Sequence, residues 1–217
     1  MVQLPLNRLT RSLLFAAAVC LSSSTIAATP AQFDSAFALF QQARAGHEVA
    51  IGQSAEAFDA LLKAEPLNPV LMAYTGATTA MKATTTWLPW SKMSYAEDGL
   101  ALLDKALTLL TAAHNAPLQH DVPAALEVCF VAANTFLAVP GFMNRGARGA
   151  RLLSDILASP LLGSAPLEFR GNVWMTAAKL ASKENRPQDA RKYLEDIIKA
   201  NAPQAEVARA QLKAIQS

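Results

Sequence analysis

The chain has 217 residues, 52% hydrophobic, 17% charged and 7% aromatic, with a formal charge of +2. That length and that apolar excess suit one domain with a real core and exclude a chain disordered throughout. Two cysteines exclude a disulfide scaffold and a zinc site built from four thiolates.

At the N-terminus, Arg8 and Arg11 precede an apolar stretch over residues 12–21, the length of a signal core and short of a bilayer span. Residues 22–28 end in small side chains suited to signal peptidase. Residues 1–28 therefore read as a cleavable secretory signal peptide, and 29–217 as the mature domain, periplasmic or secreted. Val19 stands where a lipoprotein signal ending in Cys20 wants Gly, Ala or Ser, which argues against lipidation. Cys129 is then the remaining thiol, set in an apolar run where an inert, buried role is expected.

Both charges of the +2 belong to that signal. Residues 29–140 hold five basic and ten acidic side chains, and residues 141–217 hold twelve basic and seven acidic. The mature chain is neutral and lacks the basic excess of a nucleic-acid binder. Its acidic and basic halves fit steering of a protein partner, head-to-tail self-contact, or two solvated faces.

Prolines punctuate a series of helical periods. The first spans 31–45, with Phe33, Phe37 and Phe40 on one face and Gly46 as its stop. Helices follow over 48–64 and 70–84, the latter with Leu71, Tyr74 and Ala77 on one face. A loop over 84–92 carries Trp87, Pro89 and Trp90. The fourth helix spans 95–113. The fifth, 124–138, is apolar nearly all round, the mark of a central buried helix. Three more cover 145–158, 167–183 and 188–200, and a last one starts at Pro203. No strand pattern or hairpin turn appears, so the fold is all-α with about nine helices.

Several positions recur with the spacing of helical-hairpin repeats. Trp174, Ala177, Ala178, Ala190, Leu194 and Ile197 are in register, and residues 201–203 lie where a turn into the next repeat belongs. Phe58, Leu61 and Pro66 fit half of an earlier repeat, and Gly76 falls at its next small position. Gly99, Leu103 and Ala106 repeat the second-helix spacing once the residues around Trp87–Trp90 are treated as an insertion. Over most of 31–215 the chain resembles the tetratricopeptide-repeat superfamily. The resemblance implies a right-handed α-solenoid of about four hairpins with a C-terminal capping helix. It also implies a scaffold that holds peptides or proteins in a concave groove, and it transfers no catalytic residue.

Candidate chemistry is sparse. His47, His114 and His120 lack metal-ligand spacing, and the methionines are scattered. Turn or solvent-facing histidines and core methionines are expected, with no metal and no cofactor. Glu127 sits in the apolar fifth helix, where it pairs with an arginine, reaches the concave surface, or serves as a functional acid. Trp87 and Trp90 are candidate partner contacts, because tryptophan buries much area at low entropy cost; the alternative is that both pack back on the domain. Phe142 precedes Arg145, Arg148 and Arg151, which recur every third residue at a helix start. Cations there oppose the helix dipole unless an anion is near, whether a partner's carboxylate or phosphate or the acidic half of this chain. The expectation is an exported adaptor for a protein or peptide of the cell envelope, with no nucleic acid and no stable membrane insertion. The alternatives are a helical enzyme or enzyme subunit of cell-wall metabolism using Glu127, and a carrier of a small ligand or metal.

Overall fold

The computed structural model describes residues 29–216; the expected signal peptide lies outside the described residues. Nine α-helices and no strand occur among them: α1 (Pro30–Arg44), α2 (Glu48–Ala64), α3 (Pro69–Met81), α4 (Pro89–Thr108), α5 (Ala124–Ala138), α6 (Gly146–Ala158), α7 (Leu167–Lys183), α8 (Pro187–Lys199) and α9 (Ala205–Gln216). None of them is long and apolar enough to cross a membrane. Each packs chiefly on its neighbours in sequence, most closely within the pairs α1/α2, α3/α4, α5/α6 and α7/α8, and α5 also packs on α3.

Helix starts follow local chemistry. Thr29 closes a capping box with Gln32 at the start of α1, and the Asn68 side chain accepts from the amides of Val70 and Leu71 to start α3. Pro89 opens α4 six residues earlier than the expected start at Tyr95. Its fixed φ suits the first helical position, so Trp90 belongs to the first turn rather than to a loop. At the other end α4 stops at Thr108, and a short 3-10 turn over Ala112–Asn115 replaces its expected last turn. The last helix begins at Ala205 rather than at Pro203.

Helix stops are equally local. Gly46, Asn185 and Asn201 adopt positive φ just past α1, α7 and α8. At each, the following amide reaches back to the carbonyl five residues earlier: His47 to Gln42, Arg186 to Ala181, Ala202 to Ile197. This is the Schellman arrangement, which satisfies carbonyls that the helix leaves open. Asn tolerates the left-handed region because its short side chain is polar, whereas a plain Cβ residue costs about 1 kcal/mol there. Asn201→Ala should therefore lower unfolding free energy by about 1 kcal/mol, and Asn201→Gly should not lower it, as read by urea denaturation.

The core explains the composition of α5. Its Val128, Val131, Ala132 and Phe136 join Phe33, Phe58, Leu71 and Leu103 in one buried cluster. Its Leu126, Phe130 and Ala133 join Leu153, Ile156 and Val173 in another. A helix shared by two clusters has little face left for water, and so reads as apolar all round. A third cluster, with Leu194, Ile197 and Ala208, seats α9 on α7 and α8.

Two glycines set the closest helix approach. A Cβ on Gly99 would stand 2.5 Å from the Gly76 carbonyl oxygen and 2.5 Å from the Ala80 amide nitrogen. A Cβ on Gly76 would stand 2.7 Å from the Gly99 carbonyl oxygen. The α3 and α4 backbones therefore touch where both side chains are absent.

Candidate functional site

A groove of about 1400 Å3 runs across the molecule. The odd-numbered helices supply its length: α1 through Phe37, Phe40 and Arg44, α3 through Tyr74, Ala77 and Met81, α5 through Glu127, Val131 and Asn134, and α7 through Phe169, Asn172 and Lys179. The spacings of three, four and seven residues place each set on one helical face. Helices α2 and α4 contribute only from their N-terminal parts, with Glu48, Ile51, Lys92 and Met93, and α6 and α8 contribute nothing.

Among the lining residues of this groove is Glu127. It lies in the first turn of α5, where a carboxylate complements the helix dipole, and is only 3% exposed. Its Oε1 accepts from the Tyr74 hydroxyl at 2.7 Å and is 3.0 Å from His120 Nδ1. Its Oε2 is buried and has no partner. His120 is carried by the loop between α4 and α5. That loop closes on itself where the Ala124 amide donates to the Ala116 carbonyl at 3.1 Å and Pro117 bridges Pro123. The other imidazole nitrogen, Nε2, is 4.0 Å from Asp34 Oδ1. Aromatic rings surround the group: His120 meets Phe37 at 4.4 Å and Phe33 at 4.6 Å between centroids, and Tyr74 stacks on Phe58 at 4.9 Å.

Burial, and then the neighbouring Glu127 carboxylate, hold the Tyr74 phenol well above its ordinary range. The folded chain keeps that proton where the unfolded chain, above about pH 10, gives it up. The proton's contribution to stability is thus complete below pH 10 and is lost as pH climbs beyond it. Cys129 acts in the same direction: burial, helped by Asp155, pushes its thiol up to about 11, so it also resists ionisation near neutrality. In a Cys129→Ala background, the urea midpoint should still fall between about pH 10 and 11.5, and Tyr74→Phe should flatten that fall. At neutral pH the same substitution should cost about 1 kcal/mol by leaving Glu127 one donor short.

The sequence candidates are dispersed differently. Trp87 and Trp90 are 82% and 69% exposed and do not line the groove, so neither packs back on the domain. Phe142, 68% exposed on the 3-10 turn Gly141–Met143, stands on the groove wall. Arg145 and Arg148 reach across to α4: their guanidinium groups meet Asp104 at 2.9 and 2.5 Å and both lie over the Phe136 ring, Arg145 part-buried and Arg148 exposed. The anion that offsets the dipole of α6 is thus the chain's own, and the pairing joins the acidic half to the basic half. Arg151 is exposed. Glu127 reaches the groove and pairs with no arginine there. His120, expected in a turn or facing solvent, lies in the α4–α5 loop and is half-buried against Phe33 and Phe37. Tyr74 had appeared only as a core position on a helical face. Among the described residues no cluster of three or more His, Cys, Asp or Glu could hold a metal ion. No family model, curated protein or solved structure matches the chain.

Proposed function

We propose that the protein is an exported adaptor that holds a peptide or protein segment of the cell envelope in its groove. In this reading α1/α2, α3/α4, α5/α6 and α7/α8 are four tetratricopeptide-like hairpins of a right-handed α-solenoid, and α9 caps the last. The observation that carries it is the lining of the groove by the first helix of every pair, with the second helices of the last two pairs left out. Such alternation is what stacked hairpins with one concave face produce. The groove also exceeds the few hundred to ~1000 Å3 usual for small-ligand sites, and so suits a chain segment. Exposed Trp87, Trp90 and Phe142 supply large apolar surface of the kind that anchors interfaces.

Export rests on the expected signal in residues 1–28 and is tested by cell fractionation of the tagged full chain. Binding is tested by selecting displayed peptides on the purified protein. Enriched peptides should lose roughly tenfold or more in affinity with Phe142→Asp and keep it with Val207→Asp, an exposed position on α9 outside the groove. A selection with no peptide sensitive to Phe142→Asp counts against the adaptor.

One observation favours a second reading, an enzyme or enzyme subunit of cell-wall metabolism. Glu127 carries a carboxyl oxygen without a partner in a largely apolar groove, the environment of a general acid. Loss of muropeptide release with Glu127→Gln would support it, and absence of any release by the native protein would end it.

A further inference from the structure

We infer that the part of the groove around Glu127 is a subsite for a primary alkylammonium group, the side chain of a lysine in the docked segment. The inference rests on the adaptor reading and specifies the chemistry of its partner.

The argument begins with the two carboxyl oxygens. Oε1 already accepts from Tyr74 and faces His120, so its acceptor capacity is used. Oε2 is buried with both lone pairs unmet, a costly state for an acceptor out of water. The missing group is therefore a donor, and a cation answers the carboxylate best. A guanidinium fork gains its full bidentate pairing from two free oxygens side by side and finds one here. An ammonium is a point donor on a thin four-carbon stem, and a single oxygen satisfies it.

The walls select the same group. Tyr74 and His120 touch the carboxylate, and Phe37 and Phe40 pack edge-on against Tyr74 in the same groove lining. Such rings accept both the apolar stem and, through their quadrupoles, the positive head. One cation already uses them: the Arg44 guanidinium, on the same groove-lining face of α1, lies 5.9 Å from the Phe40 centroid. Phe37 and His120 are half-buried and touch edge to face, so together they offer one wall along which a slim stem can lie.

The test uses the purified protein with n-hexylammonium, n-hexylguanidinium and hexan-1-ol, read by chemical-shift titration of the Ile51 and Val131 methyls that line the groove. Hexylammonium should bind roughly tenfold more tightly than either analogue, and Glu127→Gln should remove that advantage. Equal binding of hexylammonium and hexan-1-ol overturns the subsite. So does a folded Glu127→Gln protein with unchanged hexylammonium affinity. Should Glu127→Gln fail to fold, Phe37→Leu keeps the carboxylate and removes a ring: loss for the ammonium alone supports the subsite, and equal loss for the alcohol overturns it. Peptides from the display selection separate the two readings. Lysine-to-norleucine replacement should weaken them about tenfold. Unchanged binding overturns the lysine subsite and leaves the adaptor standing, whereas a Glu127-dependent ammonium signal with no groove-dependent peptide removes the adaptor reading instead.

Discussion

Phe33→Ala should lower unfolding free energy by about 4 kcal/mol, seen as a large drop in urea midpoint. The ring is fully buried on the inner face of α1. It meets Phe58 of α2 at 5.8 Å, Tyr74 of α3 at 5.7 Å and the loop residue His120 at 4.6 Å between centroids. Removing it forfeits the transfer energy of a whole phenyl group and leaves a void bounded by three other aromatic rings. Those rings cannot close the void cheaply, because each is held by another partner: Phe58 stacks on Tyr74, and Tyr74 donates to Glu127. Phe33→Leu, which refills much of the volume, should recover more than half of the loss. A cost below about 1 kcal/mol for the alanine variant would mean that α1 is not seated as described.

Gly99→Ala should cost about 3 kcal/mol net, although alanine is the better helix former by about 1 kcal/mol. The added methyl would meet backbone on both sides, the Gly76 carbonyl oxygen and the Ala80 amide nitrogen, each at 2.5 Å. Backbone inside a helix cannot swing aside as a side chain can, so α3 and α4 must separate. Separation also parts Leu103 and Leu100 from the buried cluster. Gly52→Ala is the control: nothing lies within 4 Å of its Cβ position on α2, and the helix-propensity gain should appear uncompensated. Thermal melts of the pair should move in opposite directions.

Helix count and order were legible because period and punctuation are local. Prolines and capping residues mark boundaries wherever they stand, and the mistake at α4 came from giving Trp87–Trp90 to a loop when Pro89 could open a helix. The centrality of α5 was legible from its missing polar face. The paired small positions Gly76 and Gly99 were visible as spacing, though not as a shared contact. The Glu127 group was visible only in part. Tyr74 and Glu127 are 53 residues apart, and nothing local links a tyrosine on one apolar face to a glutamate on another. His120 lies seven residues from Glu127, yet it comes alongside through loop closure rather than helical spacing. Likewise Asp104 meets Arg145 and Arg148 across 41 and 44 residues. The dipole argument called for an anion there but could not name it.

The packing of the helices chiefly on their sequence neighbours has a kinetic consequence. No distant closure has to be made before a pair of neighbours gains its contacts, so the entropic barrier to the first docking step is low and folding should be fast for a chain of this size. The same arrangement makes protection uneven along the chain. The terminal helix α9 borrows its shelter mainly from α8, whereas α5 is held from three sides, by α3, α4 and α6. Amide exchange should therefore be slowest in α5 and quicken toward the C-terminus, so that the part of the molecule bearing Glu127 is also the last to open.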